Sequence, residues 1–173
     1  DAEKQWAVLK TQNVSSENGA TITVLDDQSL LVGGKIPDND VYHVEAENIP
    51  AGTKGLRLEV LTHDSLPNKG PGWAGNGNFV LDEVIVEAAK KVGDKWTDYE
   101  PVKLVQATAD HSQNKFPAQN LIDGDLKTGW AINVSKGNMN VNRRVLFSLK
   151  TPLQHSEPMK LRVTLSQTRN AKY

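Results

Sequence analysis

The chain has 173 residues, which is enough for one domain with a substantial core or for two very small domains. Its 20 basic and 21 acidic residues are interspersed and leave a formal charge of −1, which excludes the basic surface typical of proteins that bind nucleic acid or anionic membranes. Cysteine is absent, which excludes disulfides, thiolate metal sites and a cysteine nucleophile, and no apolar run approaches the roughly 20 residues that span a bilayer.

Alternation of apolar and polar residues dominates the chain and predicts half-buried β-strands. Trp6 and Val8 alternate in this way and predict a first strand with a buried tryptophan. Further along, Tyr42, Val44 and Ala46 share one face of a predicted strand whose other face is charged. The predicted strands after the first are 20–25 and 30–34 (joined by a turn), 41–47, 56–61, 78–88 (apolar on both faces and therefore interior), 144–150 and 160–167.

Glycine, proline, asparagine and aspartate separate these strands, which recur about every ten residues. This spacing is typical of an antiparallel sandwich. We therefore expect one β-sandwich domain over 1–173, excised from a larger multidomain protein.

Two connections, 62–78 and 109–130, are longer than the others and contain Trp73 and Trp130. Loops of this length in a compact domain are usually functional or disordered, and a tryptophan inside each favours order. We therefore expect these two connections to contain functional residues.

The second long connection contains NLIDGDLKTGWAI (120–132), in which Asp123 and Asp125 flank a glycine. Calcium takes about six to eight oxygen ligands, and this loop offers two carboxylates, the Thr128 hydroxyl and the Asn120 carbonyl, so a distant carboxylate must complete the site. The same residues also suit a plain turn closed by hydrogen bonds from the aspartates. A catalytic carboxylate pair is disfavoured, because a solvated turn does nothing to raise one pKa as acid–base chemistry requires.

The segment FPAQNLIDGDLKTGWA resembles the opening segment of discoidin-type domains (the C-type domains of coagulation factors five and eight) and of related galactose-binding-like carbohydrate-binding modules. In those domains this loop binds a structural calcium ion, and a glutamate in a Glu-Ile-x-Val strand completes the ion's shell. Here EVIVEA precedes the aspartate loop, so the resemblance implies a circular permutation, which nearby termini tolerate. The ligands it implies are Glu83, Asn120, Asp123, Asp125 and Thr128.

A second resemblance covers nearly the whole chain and is to a module of exported planctomycete and verrucomicrobial proteins that carry cytochrome c-like segments. Its most specific part is SLPNKGPGWAGNGNFVLDE (65–83). The haem-attachment motif Cys-x-x-Cys-His is absent, so nothing redox is expected of this domain. The resemblance implies export to the periplasm, the cell surface or the medium.

Sugar recognition uses aromatic faces together with amide and charged groups, and five residues suit that chemistry. Trp73 is the best aromatic candidate because glycines and a proline surround it, although it would serve equally as a lid over the core. Asn76 and Asn78 are its polar neighbours, and Asn78 also suits a turn into a strand. Arg143 and Arg144 suit binding to the sulfate or carboxylate groups of an acidic polysaccharide. Alternatively, they are only solvent-exposed residues at the start of a strand.

The other tryptophans are interpreted as packing residues: Trp96 as a cap on one end of the sandwich rather than an exposed platform, and Trp130 as core. Adjacent histidine, aspartate and serine residues occur at 62–65 and 110–112, but neighbours in a strand point apart, so no catalytic triad is predicted.

The sequence thus predicts an all-β antiparallel sandwich, jelly-roll or discoidin-like. The predicted function is a non-catalytic carbohydrate-binding module, stabilised by structural Ca2+, that targets a larger exported protein to polysaccharide. The alternative is a protein–protein interaction or scaffold domain of a cell-surface or periplasmic protein. Expected partners are a polysaccharide or other glycan and the other domains of the parent protein, with neither nucleic acid nor a membrane span.

Overall fold

The computed structural model describes residues 6–169, and these form an almost entirely β structure. The strands are β1 (Lys10–Ser16), β2 (Ala20–Val24), β3 (Leu30–Gly34), β4 (Asp40–Glu47), β5 (Thr53–Val60), β6 (Val80–Leu81), β7 (Glu83–Val92), β8 (Lys95–Trp96), β9 (Glu100–Pro101), β10 (Leu104–Ala109), β11 (Trp130–Ala131), β12 (Arg143–Leu153) and β13 (Met159–Gln167). Short 3₁₀ helices at Pro67–Lys69 and Ala118–Ile122 lie in the two long connections. No helix in the described part of the chain is long and apolar enough to cross a membrane.

The strands pair antiparallel in two main sheets, which confirms the predicted all-β class. The large sheet has the order β1-β4-β13-β7-β8, with β9 also paired to β7, and the small sheet has the order β10-β12-β5. Two further pairs, β6 with β11 and β2 with β3, stand outside these sheets.

The core lies between the inner faces of the two sheets. Val86 and Leu161 of the large sheet belong to the same buried cluster as Val145 of the small sheet. Trp130 is 0% exposed, packs edge-on against Phe79 at 5.0 Å between ring centroids, and donates a hydrogen bond from Nε1 to the carbonyl of His111 at 2.9 Å. The expectation that Trp130 belongs to the core is therefore confirmed.

The predicted first strand at Trp6 and Val8 is wrong. Pairing begins only at Lys10, opposite Glu47 of β4, and Val8 is 77% exposed. Trp6 is half-buried and lies under the guanidinium of Arg57, 5.1 Å from the ring centroid. Two alternating residues are too short a pattern to distinguish a strand from an extended segment.

The predicted single strand 78–88 is interrupted at Asp82. Leu81 pairs with Trp130 in β11, whereas β7 starts at Glu83 and joins the large sheet. The Asp82 backbone N–H donates instead to the carbonyl of Ser166 at 2.8 Å. The break gives Asp82 and Glu83 separate structural roles.

Candidate functional site

The connection 62–78 is held in a tight fold by its glycines. The backbone N–H of Gly72 donates to the Gly77 carbonyl at 2.9 Å, and the Gly77 N–H donates to the Ala74 carbonyl at 2.7 Å. A side chain at Gly72 would overlap the carbonyl of Asn78, so the approach of these two segments requires glycine. Trp73 therefore projects from an ordered loop.

Trp73 is half-buried and lies between two depressions, both of which it lines. One is a groove of about 1000 Å³, and the other is a small cleft. The indole Nε1 is buried, and no acceptor within residues 6–169 bonds to it. The polar side chains that line the small cleft with Trp73 are those of Asp38, Asn39, Asp40, Tyr42, Gln167 and Arg169.

Tyr42 lines both depressions as a neutral phenol. Burial, with a smaller contribution from the charge of Asp40, raises the pKa of Tyr42 to about 12. Asp40 accepts hydrogen bonds from the Ser16 hydroxyl at 2.5 Å and from the backbone N–H groups of Val41 and Asn18 at 2.8 and 3.0 Å. These bonds fix the orientation of the carboxylate, which lines the cleft.

The two asparagines next to Trp73 occupy different environments. Asn78 is 4% exposed; its Oδ1 accepts from the Ile132 N–H at 3.1 Å and its Nδ2 donates to Gln113 at 3.3 Å. Asn76 is exposed, and its Oδ1 accepts from the Asn78 N–H at 3.1 Å. The amide of Asn78 thus joins segments inside the protein, while Asn76 is placed at the surface.

Arg143 and Arg144 begin β12 and point into different surroundings. The Arg143 side chain is 14% exposed and its guanidinium faces Asp110 at 4.0 Å, whereas Arg144 is exposed. The backbone N–H of Arg144 donates to the same Asp110 carboxylate at 3.1 Å. Neither arginine lines the groove or the cleft beside Trp73.

The aspartate loop folds as a turn against the start of β7. The Thr128 hydroxyl donates to Asp123 Oδ2 at 2.7 Å, while Asp125 Oδ1 accepts from the Lys127 N–H at 2.9 Å. Glu83 Oε2 accepts from the Gly124 N–H at 3.1 Å, so the glutamate implied by the resemblance does meet this loop. Asn120 lies at the other side of the turn, with its amide donating to the Gly129 carbonyl at 3.0 Å.

Glu83 is an unusual carboxyl group because it is only 8% exposed. Burial, with a smaller contribution from the neighbouring charge of Asp123, raises the pKa of Glu83 to about 7 against the lowering effect of the Gly124 hydrogen bond. Within residues 6–169 no three histidine, aspartate or glutamate side chains cluster as a metal site. A cation here would therefore need the Thr128 hydroxyl and backbone carbonyls in addition to Glu83 and Asp123.

Besides Glu83, a second buried carboxylate lies beside this loop, and sequence reasoning missed it. This residue is Asp82, which is 0% exposed. Its Oδ2 accepts from the N–H and hydroxyl of Thr168 at 2.5 and 3.0 Å, and Arg169 Nε lies 3.2 Å from Oδ1. Arg169 also donates to the Lys127 carbonyl and stacks on Phe116, with its guanidinium 5.3 Å from the ring centroid. These contacts tie the end of β13 to the aspartate loop. The one signal in the sequence was an acidic residue inside the apolar run FVLDEVIV.

Trp96 packs on the outer face of the large sheet. It is half-buried, and the Lys160 ammonium lies 4.9 Å from its ring centroid. Tyr99 lies beside it, with the Arg162 guanidinium 4.1 Å from its ring and its hydroxyl donating to Glu45 at 2.7 Å. Trp96 thus packs against the side chain of Lys160 on this face of the sheet.

Comparison of the chain with protein-family models, with curated proteins and with solved structures finds no match in any of the three.

Proposed function

We propose that this domain is a non-catalytic carbohydrate-binding module that holds a larger exported protein on polysaccharide. The observation that carries the proposal is the position of Trp73, half-buried in an ordered loop at a cleft with polar walls. An aromatic face stacks on the apolar face of a pyranose, while amide, carboxylate and guanidinium groups bond to its hydroxyls. The cleft itself has a volume of about 20 Å³, room for about one water molecule, so a sugar ring would rest on Trp73 over its mouth.

Structural Ca2+ at the aspartate loop is the second part of the proposal. Glu83 and Asp123 bring two carboxylates together, one of them buried, and a divalent cation would offset both their mutual repulsion and the cost of burial. The Thr128 hydroxyl and the carbonyls of Asn120 and Asp125 are the further oxygen donors of this loop, and hard oxygen donors are the ligands that Ca2+ prefers. A bound ion would supply no chemistry; it would fasten the loop to β7 and stabilise the fold by mass action.

The position of the unusual carboxyl group supports a non-catalytic role. A general acid needs a raised pKa and contact with substrate. Glu83 has the raised pKa, but neither it nor Asp123 lines the groove or the cleft.

Native affinity electrophoresis tests this function. The protein is run through gels that contain neutral, uronic or sulfated polysaccharides, once with calcium and once with EDTA. We expect at least one class to retard the protein strongly relative to a polysaccharide-free gel. Mobility that no polysaccharide class changes would contradict carbohydrate binding.

A further inference from the structure

The inner face of the large sheet is covered unevenly: Ala46 of β4 is 3% exposed, but the neighbouring positions of β4 and β13 are only half-buried. Across one row of this face, Val86 of β7 pairs with Val163 of β13, and Val163 pairs with Val44 of β4. Val86 is 2% exposed, whereas Val163 and Val44 are only half-buried. The next row repeats the trend, because Val84 is 4% exposed. Its partner Leu165, and Tyr42 on the other side of Leu165, are only half-buried.

This gradient follows from the unequal size of the sheets. The small sheet has three strands, and β5 is the strand at one of its two edges. The groove of about 1000 Å³ lies there, between β5 and the β2–β3 hairpin, with the inner faces of β4 and β13 as its floor. Apolar side chains form this floor, and stacked sheets bury such a face only where a second layer lies about 10 Å away.

In the part of the chain that the structure describes, β5 pairs along one edge only. Within residues 6–169, β5 pairs with β12 alone, from Val60 opposite Arg143 to Thr53 opposite Leu153. Residues 53–60 of β5 all line the groove, and residues 6–9 of the segment before β1 line it as well. An edge of this kind is a template for a further strand.

From these observations we infer that β5 accepts an extended peptide strand of a partner protein, which lies antiparallel to β5 and inserts alternate aliphatic side chains into the groove. A lipid or other apolar ligand would use the lining but leave the backbone edge unpaired, so a peptide fits the observations better. Trp73 and Tyr42 line both this groove and the cleft of the proposed carbohydrate site, but the inference does not rest on carbohydrate binding.

The side chains of β5 specify the chemistry of that strand. Leu56 and Leu58 face inward and pack against the core, so the peptide residues opposite them are aliphatic. Arg57 and Glu59 alternate with them on the outer face, where they form an ion pair at 2.9 Å. Cross-strand neighbours of opposite charge are favourable, so the peptide carries an acidic residue opposite Arg57 and a basic residue opposite Glu59.

A synthetic probe with this pattern is acetyl-VKVEVTV-amide, whose lysine and glutamate fall opposite Glu59 and Arg57 in an antiparallel register. Binding is measured by isothermal titration calorimetry and by hydrogen exchange of the segment 53–60. We expect the peptide to bind and to slow exchange of this segment at least tenfold. Slow exchange of every β5 amide in the protein alone would show that the edge is already paired and would overturn the inference.

Two controls separate backbone pairing from adhesion to an apolar surface. The same peptide N-methylated at the amides that face β5 keeps its side chains but loses its donors, and we expect its affinity to fall at least tenfold. The variant Val44→Thr/Val163→Thr makes the floor polar at nearly constant volume and should also weaken binding at least tenfold. Ile85→Thr, on the outer face of the same sheet where Ile85 is 48% exposed, is the matched control and should bind within twofold of the unmodified protein.

Failure of acetyl-VKVEVTV-amide to bind, or equal binding of the N-methylated peptide, would contradict strand docking. The N-methylated peptide is tested on the unmodified protein, so this result does not depend on the folding of a variant. Polysaccharide retardation of the Val44→Thr/Val163→Thr variant should be unchanged, which distinguishes this site from the proposed carbohydrate site.

Discussion

Replacement of Glu83 by glutamine tests whether its buried carboxylate binds a cation at the aspartate loop. Glutamine has nearly the same shape, and its carbonyl oxygen can still accept the Gly124 N–H that now donates to Glu83 at 3.1 Å. The substitution therefore removes the negative charge and retains the hydrogen bond.

The expected magnitude follows from the pKa of Glu83, which burial raises from 4.5 to about 7. Because the folded state holds this proton more tightly than the unfolded state, the associated stability is present below pH 4.5 and is lost as the pH rises through about 7. At about 1.4 kcal/mol per pKa unit, the loss approaches about 3 kcal/mol at pH 8. For a domain of this size that is a fall in Tm of roughly 6–12 °C.

Thermal unfolding followed by circular dichroism at pH 5 and pH 8 measures this loss. In EDTA, Glu83→Gln should melt above the unmodified protein at pH 8 and close to it at pH 5. Calcium should raise the Tm of the unmodified protein at pH 8 and have a much smaller effect on the variant, because the neutral amide of the variant supplies no charge to the ion. The exposed glutamate of β9 provides the control, Glu100→Gln, which should follow the unmodified protein throughout.

Equal pH dependence of the unmodified protein and Glu83→Gln in EDTA would refute the assignment of a raised pKa to Glu83. Equal stabilisation of both by calcium would refute Glu83 as a ligand.

Three further predictions concern the loops around the site. Asp82→Ala leaves the Thr168 N–H and the Arg169 charge without their buried carboxylate, so we expect the unfolding free energy in urea to fall by about 2–4 kcal/mol. Gly72→Ala should destabilise the connection 62–78 and increase its cleavage by protease, because its methyl group overlaps a carbonyl, whereas Gly75→Ala, which meets nothing within 4 Å, should match the unmodified protein. Asp123→Asn should weaken calcium binding in calorimetric titration more than Asp125→Asn, since it is the charge of Asp123 that acts on the buried Glu83 carboxyl. An unchanged unfolding free energy for Asp82→Ala, or equal effects within either of the two pairs, would contradict the corresponding assignment.

The strands could be predicted because alternation has the period of a strand, and the sequences of β4, β12 and β13 alternate between apolar and polar residues. The meeting of Glu83 with the aspartate loop could also be anticipated, but only through a resemblance, because the two lie 41 residues apart. The break at Asp82 could not be anticipated, since its cause is a set of bonds to Thr168 and Ser166 at the far end of the chain.

The uneven burial of the inner face of the large sheet could not be predicted from the sequence either. Leu161 and Val163 hold equivalent positions in one alternating strand, yet Leu161 is 0% exposed and Val163 is half-buried. Alternation shows which face of a strand is apolar; it does not show whether a second sheet extends far enough to cover that face. The position of Trp73 between groove and cleft likewise depends on how distant segments pack.

The most direct test of the proposed function compares the retardation of the unmodified protein with that of Trp73→Ala in gels that contain the most strongly interacting polysaccharide. Trp96→Ala, which removes a half-buried tryptophan from the outer face of the large sheet, is the control. We predict that Trp73→Ala loses at least nine-tenths of the retardation, that Trp96→Ala keeps it, and that both variants keep the β-rich circular dichroism spectrum. Retardation of Trp73→Ala equal to that of the unmodified protein would contradict the proposal that the cleft beside Trp73 binds carbohydrate.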